Sequence, residues 1–185
     1  HGSKVEQMIW DEFYANPDQL IYESECLIAK YSNDLIEHTS GIDLADLPEG
    51  TERLAAIKQR VNQTFFRNTV LSSYENKCCI SAIGKPLLLE ACHIIDWSAD
   101  VENRTNPENG LCLNSLFHRA YDKFLLAITP DYHIVISEKF ISDAGDGLFK
   151  QYLIDINGRT INLPSRFYPR KDFLDFNYQK YLSLQ

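Results

Sequence analysis

Ala91-Cys92-His93-Ile94, Asn109-Gly110-Leu111 and His118-Arg119-Ala120-Tyr121-Asp122 follow one another in the middle third of the chain. Their flanks set the local structure. Cys79-Ile80 and Leu87-Leu88-Leu89 are short apolar runs separated by Gly84-Lys85-Pro86. That pattern predicts a strand, a turn and a strand, and places His93 where the second run gives way to a loop. Leu111-Cys112-Leu113 predicts a further short strand, and Asn114 is a good N-cap for a helix bearing His118. From Leu125 to Ser137 the sequence reads as a hairpin, with Pro130-Asp131 at its turn.

The residue types within this stretch suit hydrolytic chemistry. His118 and Asp122 are four apart on the predicted helix, so both side chains leave one face. An imidazole nitrogen and a carboxylate oxygen so placed can hold one cation and leave positions for water and phosphate. Taken alone, the same pair also reads as a salt-bridged helix surface. An imidazole titrates near ~6.5, so His93 can take a proton from water at neutral pH. In isolation it equally reads as a core histidine bonded to a carbonyl. Asn109 can satisfy several backbone groups with one amide, although Asn109-Gly110 is also a common turn dipeptide.

Read as one string, these blocks resemble the HNH endonucleases, and in detail a branch common in prokaryotic restriction and defence proteins. Its pattern is C-x-[ST]-G … L-x-A-x-H-I-x-x-W … R-x-x-P-x-N-G-L-x-L … H-x-A-[FY]-D. Leu89 to Trp97, Arg104 to Leu113 and His118 to Asp122 follow it, and Gln63 to Arg67 matches a Q-x-x-F-R block. The likeness runs from about Arg60 to Ser137. It departs from the pattern at Ser81-Ala82-Ile83-Gly84, where Gly84 is expected to supply the turn.

The resemblance implies an α+β fold. Its expected core is a ββα-metal unit, with an N-terminal helical region and an additional β-hairpin after the metal helix. It implies a metal-dependent endonuclease that hydrolyses DNA, with His93 as general base and Asn109 fixing the loop that orients it. Arg104 is expected to contact the phosphate or leaving group. His118 and Asp122 are the expected metal ligands. Many family members place an Asp or His just before the base, where this chain has Cys92. The branch usually has a small residue there, so Cys92 reads as packing or as a soft ligand favouring Zn²⁺, with Glu90 the fallback. Mg²⁺, Mn²⁺, Ni²⁺ and Zn²⁺ all suit the site. Arg67, Arg104, Arg119 and Lys123 are the candidate DNA contacts, although Arg67 could instead lock its helix to the core. A homodimer and an upstream targeting domain are compatible with the family. The alternative is a catalytically degenerate HNH-fold module that binds or regulates.

The whole chain sets further bounds. Its 185 residues suffice for one compact domain with a small helical appendage, and no apolar run approaches the ~18 residues of a membrane span. No signal peptide is visible, and His1-Gly2-Ser3 reads as a tag remnant or as sequence cut from a longer protein. Five cysteines without a C-x-x-C pair point to free thiols in a reducing cytoplasm. The net charge of −8 is unevenly placed: residues 1–51 carry −9, residues 52–123 carry +1, and residues 124–185 balance. The acidity therefore belongs to the N-terminal third, which is expected to repel DNA or dock on a partner, while the candidate site lies in a neutral stretch.

Residues 1–50 read as an acidic helical region and linker, and 51–185 as the nuclease domain, with its core motif at about 78–137 and a C-terminal extension. Helical periods predict a pair of helices over 4–32, with Asn16 capping the second and Pro17 at its first position. Residues 33–50 read as linker, and Thr51 as the cap of a helical stretch reaching Glu75. The tail ends in a helical segment rich in Tyr and Phe.

Overall fold

Asn16 shows how directly local chemistry sets the helix boundaries here. Its side chain accepts the Gln19 N–H at 3.2 Å, and Pro17 follows at the first helical position, where a missing N–H does no harm. In the computed structural model, which describes residues 3–43 and 50–185, α1 (Lys4–Ala15) and α2 (Pro17–Ser32) form the expected helical pair. Asn33 ends α2 in the left-handed conformation at φ 54°. The expected linker is not wholly irregular, because Ile36–Thr39 forms a single helical turn, α3. Residues 44–49 of that linker lie outside the described residues. Gly50–Glu52 is a 3₁₀ turn that leads into the long α4 (Arg53–Ser73), so Thr51 sits within that turn.

The chain divides into two compact units, His1–Phe66 and Arg67–Gln185, with α4 contributing to both. Sequence composition alone suggests a boundary at residue 50. In the first unit, Ile21, Ile42, Ile57 and Val61 form a small core, with Tyr22 and Ile36 packed on it. Polar contacts hold its rim: Arg53 donates to Glu37 at 3.0 Å and Lys58 donates to Gln19 at 2.7 Å.

The second unit is built on β1 (Leu89–His93) and β2 (Gly110–Asn114), an antiparallel pair in which Leu89 faces Asn114 and His93 faces Gly110. Helix α5 (Ser115–Asp122) follows β2 directly and packs on both strands through Phe117, Ala120 and Tyr121. A second hairpin pairs β3 (Leu126–Ile128) with β4 (Ile134–Ile136), as the alternation of that stretch implies. Three helices complete the unit: α6 (Glu138–Asp143), α7 (Leu148–Ile156) and α8 (Lys171–Ser183), the last lying against β3. Its core holds Leu89, Leu111, Leu113, Phe117, Tyr121, Leu126, Ile128, Ile134, Leu153 and Leu174, all nearly inaccessible. This is the α+β arrangement expected, with the added hairpin in place. No described helix is long and apolar enough to cross a membrane.

Three local expectations are corrected. Cys79-Ile80 is not a strand: it lies in a turn where the Cys78 N–H donates to Ile83 O at 2.9 Å and the Cys79 N–H donates to Cys112 O at 2.8 Å. Likewise Leu87 and Leu88 belong to a 3₁₀ turn, Pro86–Leu88, and β1 begins only at Leu89. Nor does Gly84 provide the left-handed residue of this turn. Ala82 does, at φ 58°, while a Cβ on Gly84 would meet only ordinary contacts at 3.5 Å and beyond.

Asn114 is the joint between β2 and α5. Its Oδ1 accepts the Phe117 N–H at 2.9 Å and its Nδ2 donates to Ser81 Oγ at 2.9 Å, from a nearly buried position. Asn114→Ala removes the cap and strands polar groups, and is expected to destabilise the second unit by about 1–2 kcal/mol. Urea unfolding followed by circular dichroism checks this, and an unchanged midpoint would refute the role given to the cap.

Candidate functional site

Pairing with β2 fixes which way each β1 side chain leaves the strand. Glu90 and Cys92, two residues apart, share a side and both reach α5. Glu90 Oε2 accepts a short hydrogen bond from His118 Nδ1. Cys92, fully buried, directs its sulfur to Asp122 Oδ1 at 3.9 Å and to the His93 carbonyl at 3.6 Å. His118 and Asp122 meet along the helix, Nε2 to Oδ2, at 3.5 Å, with side-chain exposures of 25% and 53%. Cys92, His118 and Asp122 each offer a ligand atom within 4.8 Å of the others, the one such group among the described residues. The site is therefore open to solvent on its carboxylate side and closed on its sulfur side.

The hydrogen bond to Glu90 matters chemically. A carboxylate can only accept, so His118 carries its proton on Nδ1, and in the neutral ring the lone pair sits on Nε2, beside Asp122. The carboxyl of Glu90 is held below the usual range by a hydrogen bond from Ser115, then by the one from His118, with Arg67 adding its positive charge. Burial pushes the Cys92 thiol well above the usual range, and the charges of Asp122 and Glu90 push the same way.

His93 closes β1. Its Nε2 donates to the Arg104 carbonyl at 2.8 Å, which in the neutral ring leaves the lone pair on Nδ1. Burial lowers the imidazole's affinity for protons, against the pull of the Arg104 carbonyl and Asp96, while the nearby His118 reinforces the lowering. Trp97 stands edge-on to the ring, 5.5 Å between centroids. The Arg104 side chain folds back over Trp97, its Nε donating to Trp97 O at 2.7 Å and its guanidinium 5.3 Å from the indole centre. Arg104 thus holds His93 through its carbonyl and clasps the loop through its side chain.

Asn109 lies fully buried at the far end of this loop. The Ile95 N–H donates to its Oδ1 at 2.8 Å, and its Nδ2 donates to the carbonyls of Ile95 and Asn103 at 3.1 and 3.2 Å. From α8, Asn177 donates to Ile94 O at 3.1 Å, holding the strand end from a residue far along the chain.

The other sequence candidates are placed as follows. Arg67, on α4, donates to Leu89 O at 2.7 Å, which ties its helix to β1 by a hydrogen bond rather than an ion pair. Arg119 and Lys123 are exposed at the end of α5, beside the His118–Asp122 pair. Sequence reasoning passed over Ser115 and Asn177. Ser115 lies three residues before His118 on α5, so helical phase could have pointed to it, whereas Asn177 gives no local signal.

Residues 78–129 match the family model described as HNH endonuclease. This segment is similar to the HNH endonucleases. The match takes in the Cys78 turn, β1, β2, α5 and β3, and so every HNH residue of the site just described. A search of curated proteins gave no match.

The Asn109 network makes a definite prediction for the HNH loop. Asn109→Ala leaves one buried donor and two carbonyls without partners, and is expected to destabilise the second unit by about 2–4 kcal/mol. Hydrogen exchange of the 94–104 amides should speed up more than that of β3 and β4. Uniform change across the unit would remove the special role of Asn109 in the loop.

Proposed function

We propose that this chain is a metal-dependent HNH endonuclease that hydrolyses DNA phosphodiester bonds, in a restriction or phage-defence setting. The observation that carries the reading is His93, held by a backbone carbonyl with its lone pair on Nδ1, one residue beyond Cys92 and electrostatically coupled to His118. Water is a poor nucleophile until it loses a proton, and a neutral, oriented imidazole is suited to take one. His93 Nδ1 accepts that proton as the water oxygen bonds to phosphorus and the bond from phosphorus to the leaving oxygen breaks. Asn109 and Arg104 fix the loop and so the ring's position.

His118 and Asp122 would hold a divalent ion, whose charge would offset that developing on the phosphate and the leaving oxygen. The spacing fits. Ligand bonds of about 2.0–2.3 Å around a tetrahedral ion set neighbouring donors roughly 3.3–3.8 Å apart. His118 Nε2 and Asp122 Oδ2 are 3.5 Å apart. Arg119 and Lys123, exposed beside this pair, suit contact with the DNA backbone, whereas Arg67 and Arg104 hold the fold through the bonds described. The defence setting is supported by the sequence pattern of the branch alone.

A second reading, a nuclease-derived module that binds or regulates without cutting, is favoured by the −9 balance of residues 1–51. Supercoiled plasmid incubated with Mg²⁺, Mn²⁺, Ni²⁺ or Zn²⁺ separates the two. The wild type is expected to nick or linearise it, and His93→Ala to lose activity by about 10²–10⁴-fold with metal affinity nearly unchanged by calorimetry. A fully active His93→Ala protein would sink the assignment of the base. A folded wild type that is inert with every ion, yet retains DNA binding, would establish the second reading.

A further inference from the structure

The donor atoms around His118 are chemically unequal. One is a carboxylate oxygen, one an imidazole nitrogen and one a thiol sulfur. Cys92 cannot be set aside as free to swing outward. Its backbone is paired with Leu111, its side chain is fully buried, and its sulfur faces Asp122 Oδ1 at 3.9 Å. That separation and the 3.5 Å between His118 and Asp122 lie at or near the roughly 3.3–3.8 Å edge of a tetrahedral site. Glu90, the acidic candidate on β1, bonds His118 Nδ1. It lies outside the group of converging donors and acts on the imidazole from behind, as outer carboxylates commonly do for a ligating histidine. Cys78, Cys79 and Cys112 are also buried, but none joins a group of three converging donors among the described residues.

We propose that Cys92 is the third protein ligand of this ion site, and that its sulfur makes the site select a borderline-soft divalent cation such as Zn²⁺ or Co²⁺ over Mg²⁺. The inference rests on His118 and Asp122 being ligands, as in the function proposed above. Thiolate bonds strongly to zinc-type ions and weakly to Mg²⁺, which prefers six oxygens in octahedral array. Three protein ligands of the S, N, O type leave a fourth position open, the pattern of a catalytic rather than a structural zinc site.

Zinc K-edge X-ray absorption on the full chain, loaded with one equivalent of Zn²⁺, reads the ligand directly and needs no variant. The expected spectrum has one sulfur at about 2.3 Å beside nitrogen and oxygen at about 2.0–2.1 Å. With Co²⁺ in place of Zn²⁺, an intense near-ultraviolet sulfur-to-cobalt band should appear and persist in excess Mg²⁺. Cys92→Ser and Cys92→Ala should abolish it and weaken Co²⁺ binding by about tenfold or more, since even outer partners of a ligand contribute 10–100-fold. A zinc spectrum of nitrogen and oxygen alone overturns the assignment of Cys92 while leaving His118 and Asp122 in place. A cobalt band unchanged in Cys92→Ser does the same, and displacement of Co²⁺ by equal Mg²⁺ overturns the selectivity. Zinc binding that is absent in the wild type, or undiminished in both His118→Ala and Asp122→Ala, removes the site itself, and the inference falls with it.

Discussion

A slip of one residue in the pairing of β1 with β2 would turn Glu90 and Cys92 away from α5 and dismantle the site. Side chains alternate along a strand, so register decides which residues meet the helix. Here register is set at both ends. Leu89 faces Asn114, whose side chain also caps α5, and His93 faces Gly110, the residue after Asn109. Helix and strand are thus indexed to each other through one asparagine, and loop and strand through another. Placing Glu90 against His118 Nδ1, across 28 residues of sequence, needs nothing further than this register and the helical phase of α5.

The loop from Ile94 to Asn109 illustrates how a long irregular segment is held without secondary structure. Each anchor satisfies backbone groups that burial would otherwise leave unpaired, at a penalty of about 1–3 kcal/mol each. Asn109 serves three such groups, Arg104 Nε serves Trp97 O, and Asn177 serves Ile94 O. His93 belongs to this network, because its own Nε2–H satisfies the Arg104 carbonyl. The ring's tautomer is therefore a consequence of the loop's backbone accounting, and the same bond that holds the loop prepares the imidazole to accept a proton at Nδ1.

Much of this was legible in the sequence where local chemistry decides the outcome. Asn16-Pro17, Asn114 and the alternation from Leu125 to Ser137 act over a few residues, and each forms the element its chemistry implies. The four-residue spacing of His118 and Asp122 likewise fixes their juxtaposition in advance. What escaped was non-local or ambiguous in period. Cys79-Ile80 is too short for its apolar character to separate strand from turn, and its backbone bonds to Cys112 instead of extending a ladder. Ala82 in a left-handed conformation cannot be read from a residue type that rarely adopts it. Arg104 adds a third kind of non-local feature: its Nε is bonded to a carbonyl seven residues away, a clasp that its place in the motif loop does not announce.

The cysteines show why residue type alone could not assign Cys92. Four thiols, Cys78, Cys79, Cys92 and Cys112, are buried in the second unit. Burial raises the proton affinity of Cys79 well above the usual range and that of Cys112 to about 12, so both fill space as small neutral groups. Cys92 shares their burial but not their surroundings. Cys79 and Cys112 are raised by burial and then by neighbouring thiols, whereas Cys92 feels the carboxylates of Asp122 and Glu90. As a neutral thiol Cys92 directs its S–H to Asp122 at 3.9 Å, and a cation held between Cys92, His118 and Asp122 would have to displace that proton before sulfur and carboxylate could share it.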